Sequence, residues 1–195
     1  VRLATGDAVQ VLRQNVDTTR GGLVTIGAGA LVDGGAALLI DATRTTELAS
    51  SARIAGADLS VAAGRIGFGG GTEGMVLDSG ALAQLANSQR LTLRSYSDFD
   101  FYRSLDLGAA GLRSLTFDGA AFVGRGAGDV TIRGDAVTLI NSGGGTGGSG
   151  TGNGAFALDA GTLVLGAGRK DFTGFGAVTL AGRDQIVGAS AGAVD

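Results

Sequence analysis

Val130-Thr131-Ile132-Arg133-Gly134-Asp135-Ala136-Val137-Thr138-Leu139 alternates apolar and polar side chains on either side of a glycine. Every second side chain of an extended strand points to one face. Val130 and Ile132, then Val137 and Leu139, are therefore aimed at a common interior, and the threonines face away from it. Gly134 supplies a bend that a side chain would obstruct. The same unit returns along the chain. Leu59-Ser60-Val61 precedes Gly64 and Ile66-Gly67-Phe68; Phe156-Ala157-Leu158 precedes Gly161 and Leu163-Val164-Leu165. Leu115-Thr116-Phe117 leads to Gly119 and Phe122, and Val178-Thr179-Leu180 leads to Gly182 and Ile186. Val24-Thr25-Ile26 with Gly29 and Leu31, and Met75-Val76-Leu77 with Gly80 and Leu82, follow the same pattern.

No such unit can bury its own apolar side. Tandem copies can, if the strand of each coil pairs with the next about 4.8 Å away. The expected architecture is all-β, a right-handed parallel β-helix (β-solenoid). At about 20 residues per coil it would make roughly ten coils and a rod of about 45 Å. Asp33-Gly34 and Asp118-Gly119 are partial hairpin signals of a sandwich or antiparallel barrel, but no regular two-residue hairpin recurs between the units. Residues 1–195 read as one solenoid segment of a longer chain, since Val1-Arg2-Leu3 carries neither an initiator Met nor a signal sequence.

Composition narrows the chemistry. Of 195 residues, 38 are Gly, and Pro, Cys, His and Trp are absent. Without Cys or His there is no zinc finger, haem site, iron–sulfur cluster, disulfide framework or Ser-His-Asp triad. The acids are Asp apart from Glu47 and Glu73, and the bases are Arg apart from Lys170. Asp favours turns whereas Glu and Lys dress helices, so long helices are not expected. A net charge of −3 argues against a nucleic-acid partner. The longest apolar run, Ala36-Ala37-Leu38-Leu39-Ile40, falls far short of the roughly 20 residues of a membrane span.

Asp58-Leu59-Ser60-Val61-Ala62-Ala63-Gly64-Arg65-Ile66 and Gly176-Ala177-Val178-Thr179-Leu180-Ala181-Gly182-Arg183-Asp184 resemble the degenerate repeats of filamentous-haemagglutinin-type large exoproteins. The resemblance runs from about Gly22 onward. It implies a rod secreted by a Gram-negative bacterium through a two-partner route and displayed at the cell surface for adhesion. A host-surface or glycan receptor is the partner it implies. The composition and repeat add self-association, or continuation into a longer β-helical chain, because open strand edges recruit other strands.

Residues 91–107 hold the candidate contact surface. In extended conformation Arg94, Tyr96, Asp98, Asp100 and Tyr102 share one outward face, with Phe99 and Phe101 turned inward. Rings beside paired carboxylates suit sugar or calcium binding, and an ordinary solvated strand face is the plain alternative. A rival enzyme reading, a polysaccharide-processing β-helix, would use Asp98, Asp100 and Asp106 with Arg94 and Arg103. It requires these side chains to converge in a groove. The favoured expectation is a non-catalytic rod with no cofactor and no metal site. Gly124-Arg125-Gly126-Ala127-Gly128-Asp129-Val130 misses the calcium nonapeptide spacing by one residue. Gly64, Gly67, Gly69, Gly70 and Gly71 read as a turn rather than a dinucleotide fingerprint, which requires a following helix, because the next residues return to the strand pattern. The glycine-rich stretch 143–154 has no Lys for a phosphate loop and is expected to leave the rod as a flexible bulge.

Overall fold

Leu38, Leu59, Leu91, Leu115, Val137, Leu163 and Ile186 stand in register on consecutive parallel strands, successive members 21, 32, 24, 22, 26 and 23 residues apart. A second ladder, Ile40, Val61, Leu93, Phe117, Leu139 and Leu165, runs beside it. These ladders belong to a computed structural model that describes residues 2–5, 21–109 and 111–195. The chain is a parallel β-solenoid.

After β1 (Arg2–Thr5), the first coil contains β2 (Leu23–Ile26), β3 (Leu31–Asp33) and β4 (Ala37–Asp41). The second holds β5 (Thr45–Leu48), β6 (Arg53–Ala55) and β7 (Asp58–Ala63). The third is the irregular one, with β8 (Ile66–Phe68), β9 (Met75–Leu77), the helix α1 (Ser79–Leu85) and β10 (Arg90–Ser95). The fourth comprises β11 (Asp98–Phe101), β12 (Leu105–Leu107) and β13 (Ser114–Asp118). Longer strands take over in β14 (Ala121–Gly124) with β15 (Val130–Ile140), then β16 (Ala155–Leu165), then β17 (Gly168–Thr173) with β18 (Ala177–Gly188). β19 (Gly192–Val194) pairs along β17.

Within a coil the chain follows three sides. The first carries the sheet β9-β8-β11-β14-β17-β19, and the third carries β4-β7-β10-β13-β15-β16-β18. The second holds β3 and β6, then β12 and the first halves of β15, β16 and β18. Every pairing among the described residues is parallel except β1 on β4, which runs antiparallel from Arg2↔Asp41 to Thr5↔Leu38. That strand covers one edge of the third side, as a cap for an otherwise open sheet.

The coil count is about seven, not ten, and at 4.8 Å per turn the stack is about 34 Å long. The reason is coil length: successive rungs lie 21 to 32 residues apart rather than about 20. Val130 to Leu139 turns from the second side to the third, whereas Leu115 to Phe122 passes from the third to the first. The glycine-centred unit therefore marks a corner, and a coil has three. One copy departs from the pattern altogether: Gly80 and Leu82 lie in α1, not in a strand. Asp78 caps that helix, its Oδ1 accepting the Ala81 N–H at 2.8 Å, and Leu82 and Leu85 are buried.

All eight phenylalanines of the chain make ring contacts with one another. On the first side Ile66, Phe99, Phe122 and Phe172 form the ladder, and Phe122 stacks on Phe172 with centroids 4.7 Å apart and planes 5° from parallel. Phe122 also touches Phe99, Phe101, Phe117 and Phe156. Phe122→Ala opens a cavity that rigid neighbouring coils cannot close, so it should cost about 3–5 kcal/mol in urea denaturation.

Candidate functional site

Phe99 and Phe101 face the interior of β11, so the alternation of a strand turns Asp98 and Asp100 outward. Neither carboxylate meets solvent. Asp98 is 2% exposed and Asp100 0%. Two arginines from the neighbouring coils hold them. Arg65 Nη2 lies 3.0 Å from Asp98 Oδ2, and its Nη1 lies 3.4 Å from Asp100 Oδ2. Arg125 Nε donates to Asp100 Oδ1 at 2.8 Å.

The stretch 143–154 closes over this network. β14 pairs directly with β17, and the glycine-rich segment of the intervening coil lies outside their seam. Thr151 and Gly152 N–H groups donate to the Gly124 carbonyl at 3.1 and 3.0 Å, and Asn153 N–H donates to that of Gly126 at 3.2 Å. Gly148 N–H donates to Asp98 Oδ1 at 3.1 Å, and Arg125 Nη1 to the Ser149 carbonyl at 2.8 Å. Instead of leaving the rod, the segment is a strap against it. A β-carbon on Gly150 would stand 2.5 Å from the Thr173 carbonyl oxygen and 2.7 Å from that of Gly124. The approach is possible only without side chains.

The candidate residues divide between two places. A bend at 96–97 separates β10 from β11, so Tyr96 turns away from the Asp98 side. Its hydroxyl donates to Asp41, with both carboxylate oxygens at 3.1 Å. Arg94 Nε donates to Asp118 Oδ2 at 2.7 Å, and Asp118 also accepts from the Ser142 N–H and hydroxyl. Tyr102 stays beside Asp100, the two lining one cleft, and a β-carbon on Gly70 would come within 2.9 Å of the tyrosine. The rival set Asp98, Asp100, Asp106, Arg94 and Arg103 does not converge. Asp106 is on the second side, paired with Arg133, and Arg94 is on the third.

Tyr102, Asp100, Arg65 and Arg125 line a polar cleft of about 320 Å³, walled by Gly67, Gly71, Thr72 and Glu73. The last three belong to the loop between β8 and β9, strands that run parallel although only six residues join them. Gly74 closes that loop with φ +73°, and a β-carbon there would overlap the Arg65 carbonyl oxygen. The cleft presents guanidinium donors, the Glu73 carboxylate and a phenol, a set suited to hydroxyl groups. Burial pushes the Asp98 carboxyl above its ordinary value, Asp100 adds to the rise, and the Gly148 N–H, Arg65 and Arg125 oppose it.

Asp129 and Lys170 have structural roles that their sequence context does not signal. Asp129 Oδ1 accepts the Ala155 N–H at 2.9 Å, joining two coils. Lys170, the chain's single lysine, is buried and donates from Nζ to the Gly166 and Gly168 carbonyls, each at 2.6 Å. Desolvation lowers its pKa. No family model, no curated protein and no solved structure matches the chain.

Gly150→Ala should force the strap away and cost about 1–3 kcal/mol, whereas Gly143→Ala, with open space around it, should stay within about 0.5 kcal/mol. Amide exchange at Thr151 and Gly152 in the two variants checks this. Asp98 sets a pH signature. Its raised pKa means the folded chain holds this proton more firmly than the unfolded one, so its charge opposes folding above that pKa. As pH falls towards 3.8, wild type should gain stability relative to Asp98→Asn; equal slopes in thermal melts from pH 7 to pH 4 would contradict the assignment.

Proposed function

We propose that the chain is a structural and adhesive rod segment of a secreted bacterial surface fibre, working without catalysis. The observation that carries this reading is the last coil. Val178, Leu180 and Ile186 continue the interior ladders of Phe156, Leu158 and Leu163, yet Val178 is 41% exposed and Ile186 54%. Interior side chains of a solenoid are normally covered by the next turn. β18 offers twelve residues of strand edge, and among the described residues no strand pairs with its outer side. An open strand edge of this kind pairs with a strand of a second copy. The opposite end differs, since β1 covers the edge of β4.

On this reading stacked coils convert chain length into reach, about 4.8 Å per turn. Receptor contact falls to the cleft beside Tyr102, whose donors and acceptors match carbohydrate hydroxyls. The resemblance to filamentous-haemagglutinin-type exoproteins supports the cell-surface setting. Sedimentation of the purified chain should show concentration-dependent association, and Ile186→Lys should abolish it while circular dichroism stays unchanged. Glycan-array binding should fall in Tyr102→Phe and vanish in Tyr102→Ala. A chain that remains monomeric at millimolar concentration and binds no glycan would overturn the proposal.

A further inference from the structure

The second side of the solenoid lacks a rung. β3 and β6 pair there, and β12 pairs with β15 further on, but the third coil contributes α1 in place of a strand. Among the described residues β12 therefore pairs on one edge only. The direction of its backbone groups follows from parallel geometry. Leu105 N–H donates to the Asp129 carbonyl at 3.0 Å. Alternation then turns Leu105 and Leu107 towards β15, and points the Asp106 N–H and carbonyl to the opposite side.

That opposite side is a groove of about 650 Å³. Residues 103–109 make one wall and α1 the other, while no residue of β15 lines it. Val76, Ala83 and the half-buried Leu105 supply accessible apolar surface within it, with the buried Phe68, Leu77 and Leu82 beneath. A strand residue in a sheet fills roughly 3.3 × 4.8 × 10 Å, about 160 Å³, so the groove has room for about four. An unpaired strand edge beside an apolar pocket of that size is what strand addition requires.

We propose that this groove binds an extended peptide, which completes the second side as an added strand on the free edge of β12. The peptide hydrogen-bonds to the backbone of Asp106 and places alternate apolar side chains against Val76, Ala83 and Leu105. Backbone pairing supplies affinity, and the pocket selects which side chain enters. The site is separate from the polar cleft and from the open end at β18, so it stands whether or not the fibre reading does.

The probe is a fluorescein-labelled hexapeptide, Asp-Val-Thr-Ile-Arg-Gly, copying residues 129–134, the strand that β12 already accepts on its other edge. Fluorescence anisotropy with the full chain should show saturable binding. Asp106→Pro removes an N–H that the β12–β15 ladder does not use, and should weaken binding at least tenfold. Asp106→Ala loses the same exposed ion pair with Arg133 but keeps that N–H, and should bind like wild type. Val76→Arg, at a 40% exposed position lining the groove, should also block the peptide and serves if the proline variant does not fold. On wild type, N-methylation along one edge of the peptide should weaken binding tenfold and along the other edge should not. Absence of binding overturns the proposal, as does binding indifferent to Val76→Arg or to N-methylation. Binding retained by a folded Asp106→Pro chain overturns it too, and would place the peptide elsewhere, such as on β18.

Discussion

A single coil of this chain encloses no core. Its inward side chains lie in one layer, and what covers them is the layer above and the layer below. The ladder from Leu38 to Ile186 is therefore the constraint on which everything else rests. In-register parallel pairing brings like next to like, and the apolar contact is made with neighbours about 4.8 Å away along the axis. Irregular lengths between rungs are tolerated because register concerns only the strands. Thirty-two residues separate Leu59 from Leu91, and the two still pair. The excess is taken up by the β8–β9 loop and by α1, whose Leu82 and Leu85 pack into the core.

The outer face obeys a different economy. Two carboxylates on adjacent outward positions of one strand would ordinarily be solvated. Here the backbone strap covers Asp98 while the arginines cover Asp100, and the cost of desolvating the charges is offset by Arg65, Arg125 and the Gly148 N–H. Four charged side chains from three consecutive coils thereby stitch the first side from outside, while the phenylalanines stack within. Asp118 does comparable work on the third side, holding Arg94 and Ser142. Charge in this solenoid joins coil to coil.

Much of this is legible in the amino-acid sequence. Alternation at Val130-Thr131-Ile132 and its relatives specified strands, and the absence of a self-sufficient unit specified stacking. Phe99 and Phe101 were placed inward by parity alone. Parity failed at Tyr96, because the bend at 96–97 resets the face and nothing in Arg94-Ser95-Tyr96-Ser97-Asp98 announces a corner. The helix carried a signal that was overridden: Asp78 followed by Ala81-Leu82-Ala83-Gln84-Leu85 combines an N-cap with strong helix formers. The strap could not have been read from residues 143–154, since glycine permits a free loop and a close approach equally well.

The sequence alone determined the class of fold, because period-two alternation broken by glycine leaves each segment with an apolar side that only a neighbouring segment can cover. It also determined which side chains point inward along each strand. Tertiary structure decided the number of turns, the closure of the strap over Asp98, and the unpaired edge of β12. Those depend on which distant segments lie side by side, a property of three-dimensional register that local alternation does not encode.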